Sequence, residues 1–410
     1  MKIVIIGGGP AGYSAALEAS RRNLDVTLVE RDKLGGVCLN YGCIPTKSIL
    51  SSCDLIDKIR EGGKFAINAN CSFNYKDILK RKDIIVENLR KNLKAVIMSK
   101  KINLVSGEAK IIGGKKIDIN GVKFDFDFII ISTGSRQKDV GVIGIYPEKV
   151  FLSSYSIESE KEINILGGGI SGCEFATIFS SLGFKVNLFE KGSKILPSLE
   201  EDVREIIEKK LESKNVNIIK NYLIEDKKEF IICTGREANL PESEIELKTK
   251  DGFLEVDENL KTNIENIYAI GDVNGNCLLA YWAMAEGRKV IKSILGESEK
   301  LDIMSIPNVI FTRPEISFFG KIIPEYKSIK SYFKFNSKAL SESAEEGFVK
   351  LFFDSEKKLR AGIIVGKHSC EIINQLAFHK GKNLNELKNN LFFHPSFSET
   401  IGDILRDFED

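Results

Sequence analysis

Histidine is scarce in this chain: 410 residues hold three, His368, His379 and His394. Any chemistry that needs a side chain titrating near neutral pH therefore has few candidates. Long apolar runs are missing as well. The N-terminal MKIVIIGGGPAG breaks into glycines at once, which argues against a signal peptide, and no later stretch reaches the length of a bilayer span. Charge of one sign is lacking too. With Lys+Arg 59 against Asp+Glu 58, the formal net charge is +1, so neither nucleic acid nor an anionic membrane is an expected partner. Eight cysteines are too few for a disulfide scaffold and fit a reducing, cytoplasmic setting. There a close cysteine pair is more often catalytic than structural. No residue grouping reads as a metal site, and no low-complexity linker separates the domains.

What is present is a repeat. KIVIIGGGPAG at 2–12 and INILGGGISG at 163–172 are each a short apolar strand entering a glycine turn, followed by a helical stretch. A second strand then ends in an acid, VTLVE at Glu30 and VNLFE at Glu190. Gly7 to Gly167 and Glu30 to Glu190 share one offset of 160 residues. Two βαβ modules of the same design follow. Each later reaches an apolar strand ending in Thr-Gly: DFIIISTGS at 127–135 and EFIICTGR at 229–236, with NIYAIGDV at 266–273 after them. Residues 50–100 read as a long amphipathic helical pair. From about residue 301, IPNVIFTRPEISFFG, YFKFNSKAL, GFVKLFFD and LRAGIIVG read as strands of an antiparallel sheet. Helical stretches are expected at about 369–380 and 384–391. The fold class is α/β: two Rossmann-like dinucleotide-binding domains plus a C-terminal α+β domain. The expected boundaries are 1–150 and 151–265 for the two modules, 266–300 for a segment returning to the first, and 301–410.

Gly7, Gly9 and Gly12 stand in G-x-G-x-x-G spacing directly after a strand, and Gly167, Gly169 and Gly172 repeat it. Glycine allows the tight turn, the close approach of pyrophosphate and tight helix–strand packing, while the helix N-terminus offers free N–H groups. Glu30 and Glu190 lie where a carboxylate can accept ribose hydroxyls. Glycine-rich turns alone are common; strand, helix and acid in the right order make these two specific. Two such sites suit electron transfer between two cofactors. Glu190 favours NADH over NADPH, because it would repel a 2′-phosphate. Lys191 and Lys194 are read as solvated.

Between the first acid and the long helices lies GGVCLNYGCIPTK, 35–47. Four residues separate Cys38 from Cys43, a spacing that can close a small, readily reduced disulfide loop. Lys47 brings a cation that favours a thiolate. The other six cysteines show no motif spacing and are read as small core residues.

In family order along essentially the whole chain, GGGPAGY, GGVCLNYGCIPTK, STGS, GGGISGCE, AIGDV and HPSFSE resemble the pyridine nucleotide–disulfide oxidoreductases, most closely the dihydrolipoamide dehydrogenases. The cysteine segment and HPSFSE together are highly specific. The resemblance implies FAD and NAD as cofactors, with Cys43 as the thiol beside the flavin and Cys38 as the interchange thiol. Lys47 and Glu174 would form an ion pair where nicotinamide stacks. Gly271 and Asp272 would meet FAD, Asp272 at its ribityl chain, with Leu278, Leu279 and Ala280 lining the flavin. Thr133 and Gly134 would approach FAD, and Gly235 NAD. His394, held by Glu399, would serve the cysteines of the partner subunit, which implies a homodimer with shared active sites. His368 and His379 receive no chemistry.

Two departures stand out. Only 221–228 separates NVNIIK from EFIICTGR, where the family has a longer β-meander. Tyr281 and Trp282 replace a common His-Lys, and Phe393 and Phe397 crowd the expected disulfide channel. The leading expectation is a dihydrolipoamide dehydrogenase acting on a lipoyl group carried by a separate protein. Rivals are a reductase of another small disulfide such as glutathione and, more distantly, a flavoprotein redox sensor that does not turn over.

Overall fold

The computed structural model describes residues 1–113, 115–151, 162–224, 228–297 and 299–408. It divides into two compact units, one made of Met1–Ser52, Ser72–Ile157 and Thr234–Leu301, the other of Cys53–Cys71, Glu158–Cys233 and Asp302–Asp410.

In the first unit a parallel sheet has the order Ile267–Ala269, Phe128–Ile131, Lys2–Ile6, Asp25–Glu30, Asn103–Ser106. Its inner strands Lys2–Ile6 and Phe128–Ile131 are isoleucine-rich runs because both of their faces are covered. One face packs on helix Pro10–Arg21, whose Ala11, Ala15, Ala16 and Ala19 are buried. Those small side chains let helix Ala280–Ile294 come close: a Cβ on Gly287 would stand 2.5 Å from the Ala11 carbonyl oxygen. Ile111, Ile117 and Ile119 of the smaller sheet Glu242–Ser243, Ala109–Gly113, Lys116–Ile119, Val122–Asp125 belong to the core on the other face, with Ile129, Ile131 and Val4. The amphipathic pair expected over 50–100 is found as Cys43–Arg60 and Tyr75–Ser99, the second capped by the Asn74 side chain on Lys76 N–H.

The second unit repeats the parallel pattern with strands Val216–Ile219, Val186–Phe189, Ile163–Leu166 and Phe230–Ile232 in that order. The shortened connection 221–228 includes 225–227, which lie outside the described residues. The same unit holds an antiparallel sheet, Asn308–Ile310, Ile316–Phe319, Leu359–Val365, Phe348–Phe353, Lys327–Tyr332. Lys330 reaches Asp202 at 2.8 Å and Lys350 pairs with Glu200, which fastens helix Glu201–Ser213 to that sheet. The fold class is therefore the expected one, with local corrections. YFKFNSKAL is not a strand: Lys327–Tyr332 ends at its first residue, and Asn336 caps a short helix, Ser337–Ser341. IPNVIFTRPEISFFG is two strands, Asn308–Ile310 and Ile316–Phe319, rather than one. Helix Ser369–Ala377 stops before His379.

No helix among the described residues is long and apolar enough to cross a membrane.

Candidate functional site

The two glycine turns have the same geometry. A Cβ on Gly12 would lie 1.8 Å from the Gly7 carbonyl oxygen, and one on Gly172 would lie 1.9 Å from that of Gly167. These glycines let helix and strand touch. Gly9 and Gly169 cap helices Pro10–Arg21 and Ile170–Ser181 with no side-chain hydrogen bond, so the first-turn N–H groups stay available to an anion. Space is present as well: Gly169, Gly134 and Gly235 have no neighbour within 4 Å of an added Cβ, and Gly9 has only Gly36 at 3.8 Å.

Each acid is held in the same way. Glu30 accepts from Gly8 N–H at 2.7 Å and Asp32 N–H at 2.8 Å. Glu190 accepts from Gly168 N–H at 2.8 Å and Gly192 N–H at 2.6 Å. Two backbone donors per carboxylate fix its direction and leave lone pairs for ribose hydroxyls. The Thr-Gly strand ends supply a further repeat: the Thr133 and Thr234 hydroxyls are both buried and lack a protein partner. Buried hydroxyls are rarely left unsatisfied, so an orphan at the same point of both modules fits a dinucleotide in each.

In the first unit, helix Gly36–Asn40 carries Cys38, and Cys43 opens helix Cys43–Arg60. Asn40 locks the approach, its amide donating to the carbonyls of Leu34 and Gly36 at 3.1 and 2.9 Å. Both cysteines are thiols here. A hydrogen bond to Cys43, burial and the Cys43 charge push the Cys38 thiol well above its ordinary range, against the pull of Lys47. Lys47 lies one helical turn beyond Cys43, on the same face. Burial, then the charges of Cys38 and Cys43, raise Tyr13 to about 12, so this phenol stays protonated beside the pair.

Asp272 sits in the turn Gly271–Asn274. It accepts from the Ser135 hydroxyl at 2.6 Å, and Ser135 Oγ accepts from Arg236 Nε at 2.6 Å. Arg236 is anchored in turn by Glu148 at 2.6 Å. The turn itself hangs on Glu286, which is fully buried and accepts from Gly271 N–H, Asn274, Trp282 and Asn276 at 2.6, 2.9, 2.9 and 3.1 Å. Burial pushes its carboxyl up, and the four donors oppose that. Sequence reasoning missed Ser135, Arg236 and Glu286; the polar residue after each Thr-Gly was the available signal. Leu279 caps helix Ala280–Ile294, Ala280 begins it, and Leu278 is exposed.

In the second unit Glu174 is buried on helix Ile170–Ser181 and accepts from Phe311 N–H at 3.0 Å. His394 Nδ1 meets Glu399 Oε1 at 2.8 Å, and Ser396 N–H donates to Glu399 Oε2 at 2.8 Å. Burial would raise the Glu399 carboxyl, but the Ser396 N–H, His394 and Arg406 outweigh it and hold it below its ordinary value. Phe397 is buried against Phe333 rather than standing in a channel, whereas Phe393 is exposed. Of the other six cysteines, Cys53, Cys173 and Cys233 are core residues, but Cys71, Cys277 and Cys370 are partly exposed. No group of three or more metal-ligating side chains occurs among the described residues.

Residues 1–287 match the family described as pyridine nucleotide-disulphide oxidoreductase, and 306–404 match its dimerisation domain. The chain is 31% identical over 449 residues to the dihydrolipoyl dehydrogenase of Mycoplasma genitalium, covering 98% of this chain and 97% of that protein. It is 33% identical over 446 residues to that of Buchnera aphidicola subsp. Acyrthosiphon pisum, covering 98% and 94%. Both alignments exceed the 410 residues of the chain, so this chain carries gaps against them. Among solved structures, LpdA of Mycobacterium tuberculosis superposes with a TM-score of 0.90 at 23% identity, covering 99% of each chain. The HOCl-induced flavoprotein disulfide reductase RclA of Escherichia coli gives 0.88 at 22%, covering all of both. Those two likenesses establish the fold. With both family models matched in order and relatives above 30% identity along nearly its whole length, the chain belongs to the pyridine nucleotide-disulphide oxidoreductases.

Proposed function

We propose that this chain is a dihydrolipoyl dehydrogenase that uses FAD and NAD, works as a homodimer in the cytoplasm, and oxidises a dihydrolipoyl group carried by another protein. The carrying observation is that Cys38 and Cys43 are hydrogen-bonded to one another, with Lys47 one helical turn beyond Cys43. FAD supplies the two-electron link between that pair and nicotinamide. Residues 1–150 with 266–300 hold FAD, 151–265 hold NAD, and 301–410 form the dimer interface.

Each side chain then has a task. A thiolate of the dihydrolipoyl group attacks Cys38 of the disulfide, a mixed disulfide forms, and Cys43 leaves as thiolate beside the flavin. The second substrate thiolate attacks the substrate sulfur of the mixed disulfide, closing the lipoyl ring and releasing Cys38 as thiol. Of the two substrate protons, His394 of the partner subunit passes one to Cys38 and keeps the other as an imidazolium that balances the Cys43 thiolate. Glu399 holds that imidazole in one tautomer. Glu190 selects NAD over NADP by repelling a 2′-phosphate.

A steady-state assay of FAD-loaded enzyme with dihydrolipoamide and NAD, run beside NADPH with glutathione disulfide, tests the reading. Rapid NADH formation is expected. Turnover only with NADPH and glutathione disulfide would replace it with the rival reductase.

A further inference from the structure

His394 stands at the surface, its side chain 72% exposed, with Leu391 and Phe393 exposed before it. Its alignment depends on whatever holds the loop 394–399 from behind. One buried amide does so. Asn336 is 5% exposed, and its Nδ2 donates to the Ser396 carbonyl at 2.9 Å and to the Thr400 hydroxyl at 3.0 Å. Its Oδ1 accepts from Ala339 N–H at 2.9 Å, so both ends of the amide are committed and its orientation is fixed by the network. Ser396 and Thr400 bracket Glu399. Ser396 presents its N–H to the Glu399 carboxylate and its carbonyl to Asn336, while Thr400 is the next residue along the helix Glu399–Asp407. The segment holding Asn336 makes a second contact, since the fully buried Phe333 meets Phe397 edge-on at 5.6 Å.

We propose that Asn336 is a positioning residue for the acid–base pair: by tying Ser396 and Thr400 to one buried amide it aims the Glu399 carboxylate, and through it His394. The inference rests on His394 as the acid–base group. Its physical basis is that a catalytic constellation tolerates only small displacements and needs a supporting shell with locked side chains. A carboxylate aimed at Nδ1 fixes the tautomer that leaves Nε2 for the thiol.

The test is a double-mutant cycle on the FAD-loaded dimer, using Asn336→Asp and Thr400→Val in the wild-type and His394→Gln backgrounds. Asn336→Asp keeps the helix cap but turns both donors into acceptors facing Ser396 O and Thr400 Oγ; Thr400→Val removes one acceptor at constant shape. Lipoamide turnover, reduction of bound flavin by NADH, and thermal midpoint are read for each. Positioning predicts that Asn336→Asp lowers turnover about 10- to 100-fold and Thr400→Val about 3-fold, with flavin reduction changed less than about 2-fold. It also predicts that both losses nearly vanish in the His394→Gln background. Equal fold-losses in both backgrounds would mean that Asn336 only stabilises the domain, and the proposal would fall. If Asn336→Asp does not fold, the Thr400→Val cycle decides by the same criterion. Full turnover by His394→Gln alone would instead remove the acid–base reading, and this inference with it.

Discussion

The two dinucleotide modules repeat the same glycine turn, carboxylate and threonine geometry and differ in what surrounds them. Both have the glycine at van der Waals limit, the carboxylate pinned by two backbone N–H groups, and a buried threonine hydroxyl without a protein partner. Among the described residues, only the first follows its acid with a cysteine pair and carries antiparallel strands, Ala109–Gly113, Lys116–Ile119 and Val122–Asp125, after its outer strand. The second passes from Val216–Ile219 to Phe230–Ile232 through 221–228. The glycine turn with its acid is thus the part that the fold repeats, while the cysteine segment occurs once.

The sharpest break of this symmetry is expected at the cysteines. Cys38→Ser should lower lipoamide turnover by more than about 10³-fold, because no other thiol takes its place, yet leave reduction of flavin by NADH intact. Full lipoamide turnover in that variant would remove Cys38 from the interchange role. Next come the matched glycines. Gly12→Ala and Gly172→Ala each force a Cβ onto a carbonyl oxygen and should each cost about 2 kcal/mol or more. FAD content should fall in the first and NADH affinity in the second; loss of FAD from both would mean that the modules do not bind separate nucleotides.

Subtler are the orphan hydroxyls. Thr133→Val should weaken FAD, and Thr234→Val should weaken NADH, each by about 10-fold, while the cofactor-free protein keeps or gains stability because an unsatisfied buried hydroxyl is gone. Titrations of both variants with each nucleotide check the assignment. If neither nucleotide weakens, the hydroxyls have no part in binding.

The smallest effect concerns the second unit alone. Lys367 and Lys338 hold Glu342 at about 2, below its ordinary 4.5. A depressed carboxyl stabilises above the unfolded value, and the contribution fades as pH falls from 4.5 towards 2. The stability gap between wild type and Glu342→Gln should therefore be small near pH 6 and close on acidification; a gap independent of pH would mean the two lysines contribute nothing through charge.

Much of this was legible in the residue order. The repeat at 160 residues located both glycine turns and both acids, because the turn, the helix start and the backbone N–H groups that hold each carboxylate are all local. The Cys38–Cys43 pair and the His394–Glu399 pair span four intervening residues each, so their contacts also lie within one loop. What was misjudged is non-local. YFKFNSKAL alternates like a strand, yet Asn336 is drawn out of the sheet by partners at Ser396 and Thr400, 60 and 64 residues away. Cys71, Cys277 and Cys370 resemble core residues until the packing around them is known.

By itself, then, the sequence determined the modules, the spacing of their glycines and the closeness of Cys38 to Cys43, since these follow from backbone sterics and short loops. Tertiary structure alone decided which polar groups stand behind them. Ser135, Arg236 and Glu286 support Asp272 across separations of 137, 101 and 15 residues along the links of that network, and their place after each Thr-Gly marked Ser135 and Arg236 without naming their partners. A buried donor must find an acceptor wherever the folded chain brings one, and that choice is made only when the strands and helices have packed.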